Sequence, residues 1–315
     1  MRKISFVIPC YNSEKTIMNV VNEIKQTVNE KNNDTYEIIL VNDFSKDNVW
    51  SVIQEACRKD EKIKGICFPK NFGQHSALMA GYREAEGDII VSLDDDGQTP
   101  AKEVYSLIDM LEEGYDVVYA SYRHKKHSAA RNIGTKLNNY MCEKLLGKPR
   151  GLMITSFFAA KKYVIDEIIK YKNSYTYIPG LVLRTTANIA SVPVNHRERE
   201  VGVSGYSFKK LLALWMNGFT AFSVVPLRIS TIIGMCSAGA GFIYLIYVII
   251  NKFVNPSVPV GWSSTTALLL LLGGMILFVL GMMGEYLGRV YISPNNAPQY
   301  VVSKKIGGNS GDEEK

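Results

Sequence analysis

The sequence predicts an α/β domain built on a mostly parallel sheet, followed by two long apolar segments. Three observations lead there. Up to about residue 196, short apolar runs alternate with amphipathic stretches. The strand-like runs are apolar nearly throughout instead of alternating, as expected of strands buried on both faces. After about residue 224 charges become rare.

Taken in order, residues 4–9, 37–42, 63–68, 88–93 and 116–121 read as strands. Residues 14–30, 46–60, 73–86 and 101–113 carry helical spacing, as in Ile17, Val20, Val21, Ile24 and Val28. Strand–helix alternation of this kind builds a parallel sheet with helices on both faces. Ligands then bind beyond the carboxyl ends of the strands, so the residues after each strand are the candidates for chemistry.

Residues 207–222 place Phe208, Leu211, Leu212, Leu214, Trp215 and Phe219 beside Lys209 and Lys210, the composition of a helix lying in a bilayer interface; a plain core helix is the alternative. Residues 229–250 and 265–283 contain no charge, and each is long enough to cross a hydrocarbon core. Gly234, Gly239, Gly241, Gly273 and Gly274 would let such helices pack closely. Basic residues flank the pair (Lys209, Lys210 and Arg228 before it, Arg289, Lys304 and Lys305 after it), whereas the connector carries only Lys252. The positive-inside rule then keeps both ends in the cytoplasm. The expected organisation is a domain over 1–205, an interface helix over 206–225, a two-helix transmembrane hairpin over 226–290 and a cytoplasmic tail over 291–315.

With 47% hydrophobic and 21% charged residues, the chain is not disordered. A net charge of +6, spread along 315 residues, is no nucleic-acid footprint but suits an anionic membrane surface. Cysteines at 10, 57, 67, 142 and 236 show no CxxC or Cys/His spacing, which argues against a disulfide scaffold or structural zinc. The apolar run after Met1-Arg2-Lys3 is broken by Pro9 and is too short for a signal peptide, so the first domain is expected in the cytoplasm.

Asp94-Asp95-Asp96-Gly97-Gln98 follows the fourth strand. Three adjacent carboxylates repel one another unless a cation sits among them. Alternate residues of extended backbone point the same way, so Asp94 and Asp96 can converge while Asp95 points aside. Hard oxygen donors of this type suit Mg2+ or Mn2+ sharing its shell with substrate phosphates; a solvated acidic turn is the plainer alternative. Asp43 is a second acidic position at the same sheet edge, and Pro9-Cys10-Tyr11-Asn12 is either an aromatic platform for a nucleobase or a simple strand-to-helix turn.

Ile8-Pro9-Cys10-Tyr11-Asn12, Leu40-Val41-Asn42-Asp43, Asn71-Phe72-Gly73-Gln74-His75-Ser76-Ala77 and Leu93-Asp94-Asp95-Asp96-Gly97-Gln98 stand in the order and spacing of family 2 glycosyltransferases. With Tyr206-Ser207-Phe208, Pro226-Leu227-Arg228 and Gly284-Glu285-Tyr286-Leu287-Gly288-Arg289, the chain resembles the polyprenyl-phosphate glycosyltransferases of that family. The resemblance implies a GT-A fold and metal-dependent, inverting transfer of a sugar from a nucleotide diphosphate sugar, of the UDP type, to a polyprenyl phosphate such as undecaprenyl phosphate. The reaction would run at the cytoplasmic face of the lipid bilayer. It implies that Pro9, Tyr11, Val41, Asp43, Asp94 and Asp95 hold the nucleotide and that Asp94, Asp96 and Gln98 hold Mg2+ or Mn2+. Arg123, Arg131, Thr135 and Arg199 would face the phosphates of donor and acceptor, with Asp94, Asp96 and Arg131 the catalytic set.

Four positions depart from the family pattern: Ser13 where a glutamate is common, Phe44 for glycine, Gly97 for leucine and Gly205 for lysine. His75 reads as a packing or capping residue, and His124 and His127 as part of a basic loop. No general base is expected, because a phosphate monoester with a second pKa of about 6 already presents an unprotonated nucleophile. A processive polysaccharide synthase and a non-catalytic membrane scaffold are the alternatives; a homo-oligomer is compatible with all three.

Overall fold

The computed structural model describes residues 2–31, 34–122, 143, 148–173, 176–195, 197, 225–254, 261–292 and 298–307. Arg123, His124, His127, Arg131, Thr135, Arg199, Gly205 and the expected interface helix over 207–222 lie outside these residues. The chain divides into two units, Met1–Ser207 with Ala297–Lys315, and Phe208–Asn296.

In the first unit, β1 (Lys3–Cys10), β2 (Thr35–Asn42), β3 (Ile63–Cys67) and β4 (Ile89–Ser92) alternate with α1 (Ile17–Lys31), α2 (Val49–Lys59) and α3 (Gln74–Glu84). α4 (Val104–Glu112), β5 (Val117–Tyr122), β6 (Phe158–Lys161), α5 (Lys162–Ile168), α6 (Ile178–Thr185) and β7 (Ile189–Val194) follow. The helical spacing read in the sequence is the buried face: Ile17, Val20, Val21, Ile24 and Val28 of α1 all lie in the core. β1 and β2 are buried almost end to end, which accounts for their unbroken apolar pattern.

With a last strand, β8 (Lys304–Ile306), the described strands form one eight-stranded sheet in the order β7-β5-β6-β4-β1-β2-β3-β8. β4, β1, β2 and β3 pair in parallel, as do β5 and β7. Two features go beyond the sequence reading. β6 lies between β4 and β5 and is antiparallel to both. β8 (Lys304–Ile306), in the stretch expected as a tail, pairs antiparallel with β3.

Residues 298–307 are docked by side chains as well. Tyr300 stacks on Phe68 with ring centroids 5.3 Å apart and accepts a hydrogen bond from Arg83 Nη1 at 2.6 Å. Ser303 Oγ donates to the Cys67 carbonyl at 2.9 Å. The added strand covers the β3 edge, whose free N–H and C=O groups would otherwise recruit another chain.

The second unit contains α7 (Val225–Val254) and α8 (Trp262–Ile292), which pack against each other. Phe242, Ile243, Leu277 and Phe278 are among many large apolar side chains exposed on this pair. Counted over the described residues alone, no helix is long and apolar enough to cross a membrane.

Candidate active site

Strand order and chain order together locate the site. From β1 the chain runs outward through β2 to β3, then returns to place β4 on the other side of β1. The order therefore reverses between β1 and β4, and the crevice beyond their carboxyl ends is where open α/β sheets bind ligands. Pro9, Tyr11, Val41, Asp43 and Asp94–Asp96 all belong to this edge.

Three loops are hydrogen-bonded together there. Asp95 turns back toward the loop after β1: its Oδ2 accepts the Tyr11 N–H at 2.9 Å, and its carbonyl accepts Thr16 Oγ1 at 2.7 Å. Burial pushes the Asp95 carboxyl up to about 6, with the Asp94 and Asp96 charges adding to the shift and the Tyr11 N–H opposing it. Asp95 thus joins two loops.

Asp43 is 4% exposed, and its oxygens accept the backbone N–H groups of Phe72 at 2.7 Å and Gly73 at 2.8 Å. Burial raises its pKa, while these two donors favour the anion. Pro9 and Val41 are buried inside their strands. Of the four nucleoside positions expected in the first two loops, Tyr11 alone exposes a large side-chain surface, at 48%.

Asp94 is held from both sides. Gln74 Nε2, at the start of α3, donates to its Oδ1 at 3.0 Å, and Ser156 Oγ donates to its Oδ2. The register explains the second contact. Ser92 of β4 faces Phe158 of antiparallel β6, and two further steps bring Asp94 opposite Ser156. The sequence reading missed Ser156, which lies in no motif; the only signal would have been the pairing of β6 with β4.

The loop then turns at Gly97, whose φ of 69° is open to glycine at little cost. That turn brings the Gln98 N–H to Asp96 Oδ1 at 3.1 Å. The Gln98 carbonyl accepts the N–H of Arg197, whose guanidinium is engaged by Glu23 through two bonds of 2.9 and 3.0 Å. His75 packs edge-on against Tyr177 with centroids 5.4 Å apart. Its Nδ1 is sealed from solvent with no partner among the described residues, and burial lowers its pKa to about 4. It is therefore neutral at physiological pH.

Among the described residues, no group of three or more His, Cys, Asp and Glu side chains forms a closed metal cage. The donors present fit a more open site. Half-buried Asp94 and Asp96 with Gln98 offer hard oxygens, and Mg2+ commonly binds through one or two carboxylates, water and substrate phosphates.

Comparison with known proteins gives matches to two families. Glycosyl transferase family 2 matches residues 5–169, and the GtrB C-terminal hairpin matches residues 225–290. The chain is 33% identical over 310 residues to the undecaprenyl-phosphate 4-deoxy-4-formamido-L-arabinose transferase of Proteus mirabilis, covering 98% of this chain and 95% of that one. It is 34% identical to the uncharacterized glycosyltransferase YkcC of Bacillus subtilis, covering 96% and 94%. The crystal structure of mannosyl-3-phosphoglycerate synthase from Rubrobacter xylanophilus superposes with a TM-score of 0.51 at 16% identity, covering 69% and 71%. This last likeness concerns the fold alone and agrees with a GT-A-like α/β architecture.

Proposed function

The chain belongs to glycosyl transferase family 2 and is a glycosyltransferase, and we propose that it moves a sugar from a nucleoside diphosphate donor, of the UDP type, to a polyprenyl phosphate. The observation that carries this reading is the near full-length likeness to a transferase named for undecaprenyl phosphate. The sheet edge supports it: the Tyr11 ring just beyond β1 and the oriented Asp94 carboxylate just beyond β4 follow the two strands that flank the switch point.

In this reading Tyr11 receives the nucleoside, and Asp94, Asp96 and Gln98 would hold Mg2+ or Mn2+. The metal supplies charge neutralisation to the departing diphosphate. Gln74 and Ser156 fix the Asp94 carboxylate so that it need not reorganise as charge develops. Arg123, Arg131, Thr135 and Arg199 are proposed to meet donor and acceptor phosphates, since guanidinium groups stay charged and bind phosphate oxygens bidentately. The acceptor phosphate attacks the anomeric carbon directly and inverts it. It carries no proton to remove, and neutral His75 is not required as a base.

The proposal places the enzyme at a membrane. Residues 229–250 and 265–283 lack charge, residues 225–290 match a hairpin family, and the described faces of α7 and α8 expose large apolar side chains. Exposed apolar surface of that extent is not sustained in water and indicates burial in lipid or protein. A hairpin that enters and leaves on the cytoplasmic side keeps the donor site with the cytosolic nucleotide sugars.

The test offers detergent-solubilised protein a panel of nucleotide sugars with undecaprenyl phosphate and Mg2+, and weighs the lipid products by mass spectrometry. A glycosyl undecaprenyl phosphate formed from one donor, abolished by a chelator, is the expected result. Transfer only to sugar or protein acceptors would overturn the reading.

A further inference from the structure

Among the described residues, only two non-glycine residues adopt the left-handed backbone region: Asn12 with φ 55° and Phe44 with φ 57°. Asparagine tolerates it; for a bulky aromatic residue it costs about 1 kcal/mol or more. The two lie in adjacent loops, immediately beyond β1 and β2.

Bonds between the loops hold Asn12 directly and bracket Phe44 through Asp43 on one side and Ser45 and Lys46 on the other. Asn12 N–H donates to Ser45 Oγ at 3.1 Å, and Asn12 Oδ1 accepts the Lys46 N–H at 2.9 Å. Glu14 N–H donates to Asp47 Oδ2 at 2.8 Å, while Glu14 Oε2 accepts the Asn48 N–H at 3.2 Å. The Asp43 N–H reaches the Cys10 carbonyl at 3.0 Å. A strained conformation persists when its surroundings determine it in this way, and such residues concentrate at functional sites.

Core packing does not offset the strain at Phe44, because the residue is 51% exposed. Tyr11, on the neighbouring loop, is 48% exposed. The sheet edge thus presents two water-facing aromatic rings on neighbouring loops and, one strand beyond Tyr11, the Asp94–Asp96 segment. Two strand spacings, about 10 Å, separate the β2 tip from the β4 tip. A base at the aromatic end and a diphosphate at the acidic end would span them through a ribose.

We propose that Phe44 is a nucleobase-contacting residue, supplying with Tyr11 an aromatic surface on which the base of the donor stacks. Stacking is open to any base because every base has a π-face, so Phe44 adds affinity for the nucleoside and not for its phosphates. The proposal rests on the donor reading given above.

The test measures UDP and inorganic pyrophosphate binding to the full-length protein in detergent with Mg2+, for wild type, Phe44→Gly and Phe44→Tyr. Phe44→Gly should weaken UDP binding roughly tenfold and leave pyrophosphate binding unchanged. Its thermal midpoint should hold or rise, because glycine adopts this φ freely. Phe44→Tyr should retain UDP binding within about twofold, since the ring is kept. Donor KM should rise in Phe44→Gly with kcat preserved. Unchanged UDP affinity in Phe44→Gly, or equal loss of UDP and pyrophosphate through loop collapse, would overturn the assignment while the donor reading stands. Wild-type protein that binds none of UDP, GDP, CDP and ADP would overturn both.

Discussion

Replacing Gly81 by alanine separates intrinsic helix preference from tertiary packing. Gly81 lies inside α3, where alanine should stabilise by about 1 kcal/mol on propensity alone. A Cβ at this position, however, would stand 2.3 Å from Val7 Cγ1 and 3.4 Å from Val41 Cγ2. Carbon atoms in good contact stay about 3.5–4.0 Å apart, so the first overlap exceeds about 1 Å. Val7 is fully buried in β1 and β-branched, so it cannot swing aside. Overpacking costs about 1–3 kcal/mol, and so close an approach to a stiff neighbour belongs at the upper end, about 2–3 kcal/mol, which leaves a net loss of about 1–2 kcal/mol.

For a unit of this size, that lowers the thermal midpoint by roughly 3–6 °C. The consequence reaches the site, because α3 begins with Gln74 and a helix lifted from β1 draws that amide away from Asp94. Circular dichroism melts of the full-length protein in detergent, with initial transfer rates, provide the assay. A midpoint equal to or above wild type would refute the packing argument.

Asp96→Asn should abolish nearly all transfer while stability holds or rises, since one carboxylate leaves a crowded acidic turn; near wild-type turnover would remove Asp96 from the metal set. Ser156→Ala removes one of the donors that orient Asp94, and should reduce Mn2+ affinity about 10- to 100-fold, read by metal titration independently of turnover. The His75 pKa of about 4 lies below its unfolded value of about 6.5. The neutral ring therefore contributes stability that is present above pH ~6.5 and lost as pH falls toward 4, at most about 3 kcal/mol. Compared with His75→Phe, wild type should show this extra loss in unfolding titrations, and parallel pH profiles would contradict the burial. In a cysteine-depleted background, Ser257→Cys should label from outside intact cells and Ser45→Cys only after permeabilisation; external labelling at Ser45 would invert the topology.

Much of the fold was legible because local chemistry dictated it. Apolar runs only five or six residues long, alternating with amphipathic stretches, fit strands buried on both faces, and the Ile17–Val28 spacing gathers its apolar residues on one face only as a helix. The acidic turn after β4 and the aromatic turn after β1 were visible for the same reason: unusual residue types in a fixed order need no partner to be noticed. The sequence also limits the second unit by itself, since charge-free stretches of that length have few physical uses.

Long-range pairing decided the rest. Phe158–Lys161 is four residues with no turn signature, and its place between β4 and β5 depends on strands some seventy and forty residues earlier. Only that insertion puts Ser156 on Asp94. Lys304–Ile306 is shorter still, and it became a strand because β3 had an open edge and Tyr300 had Phe68 to stack on. Phe44 shows the same division: its departure from glycine could be read in the chain, whereas its left-handed backbone and outward ring follow from the bonds between two loops. Sequence determines which groups are available and where the backbone turns; which of them meet is settled by register and strand order, because hydrogen bonds and contacts across a sheet join residues that share no local signal.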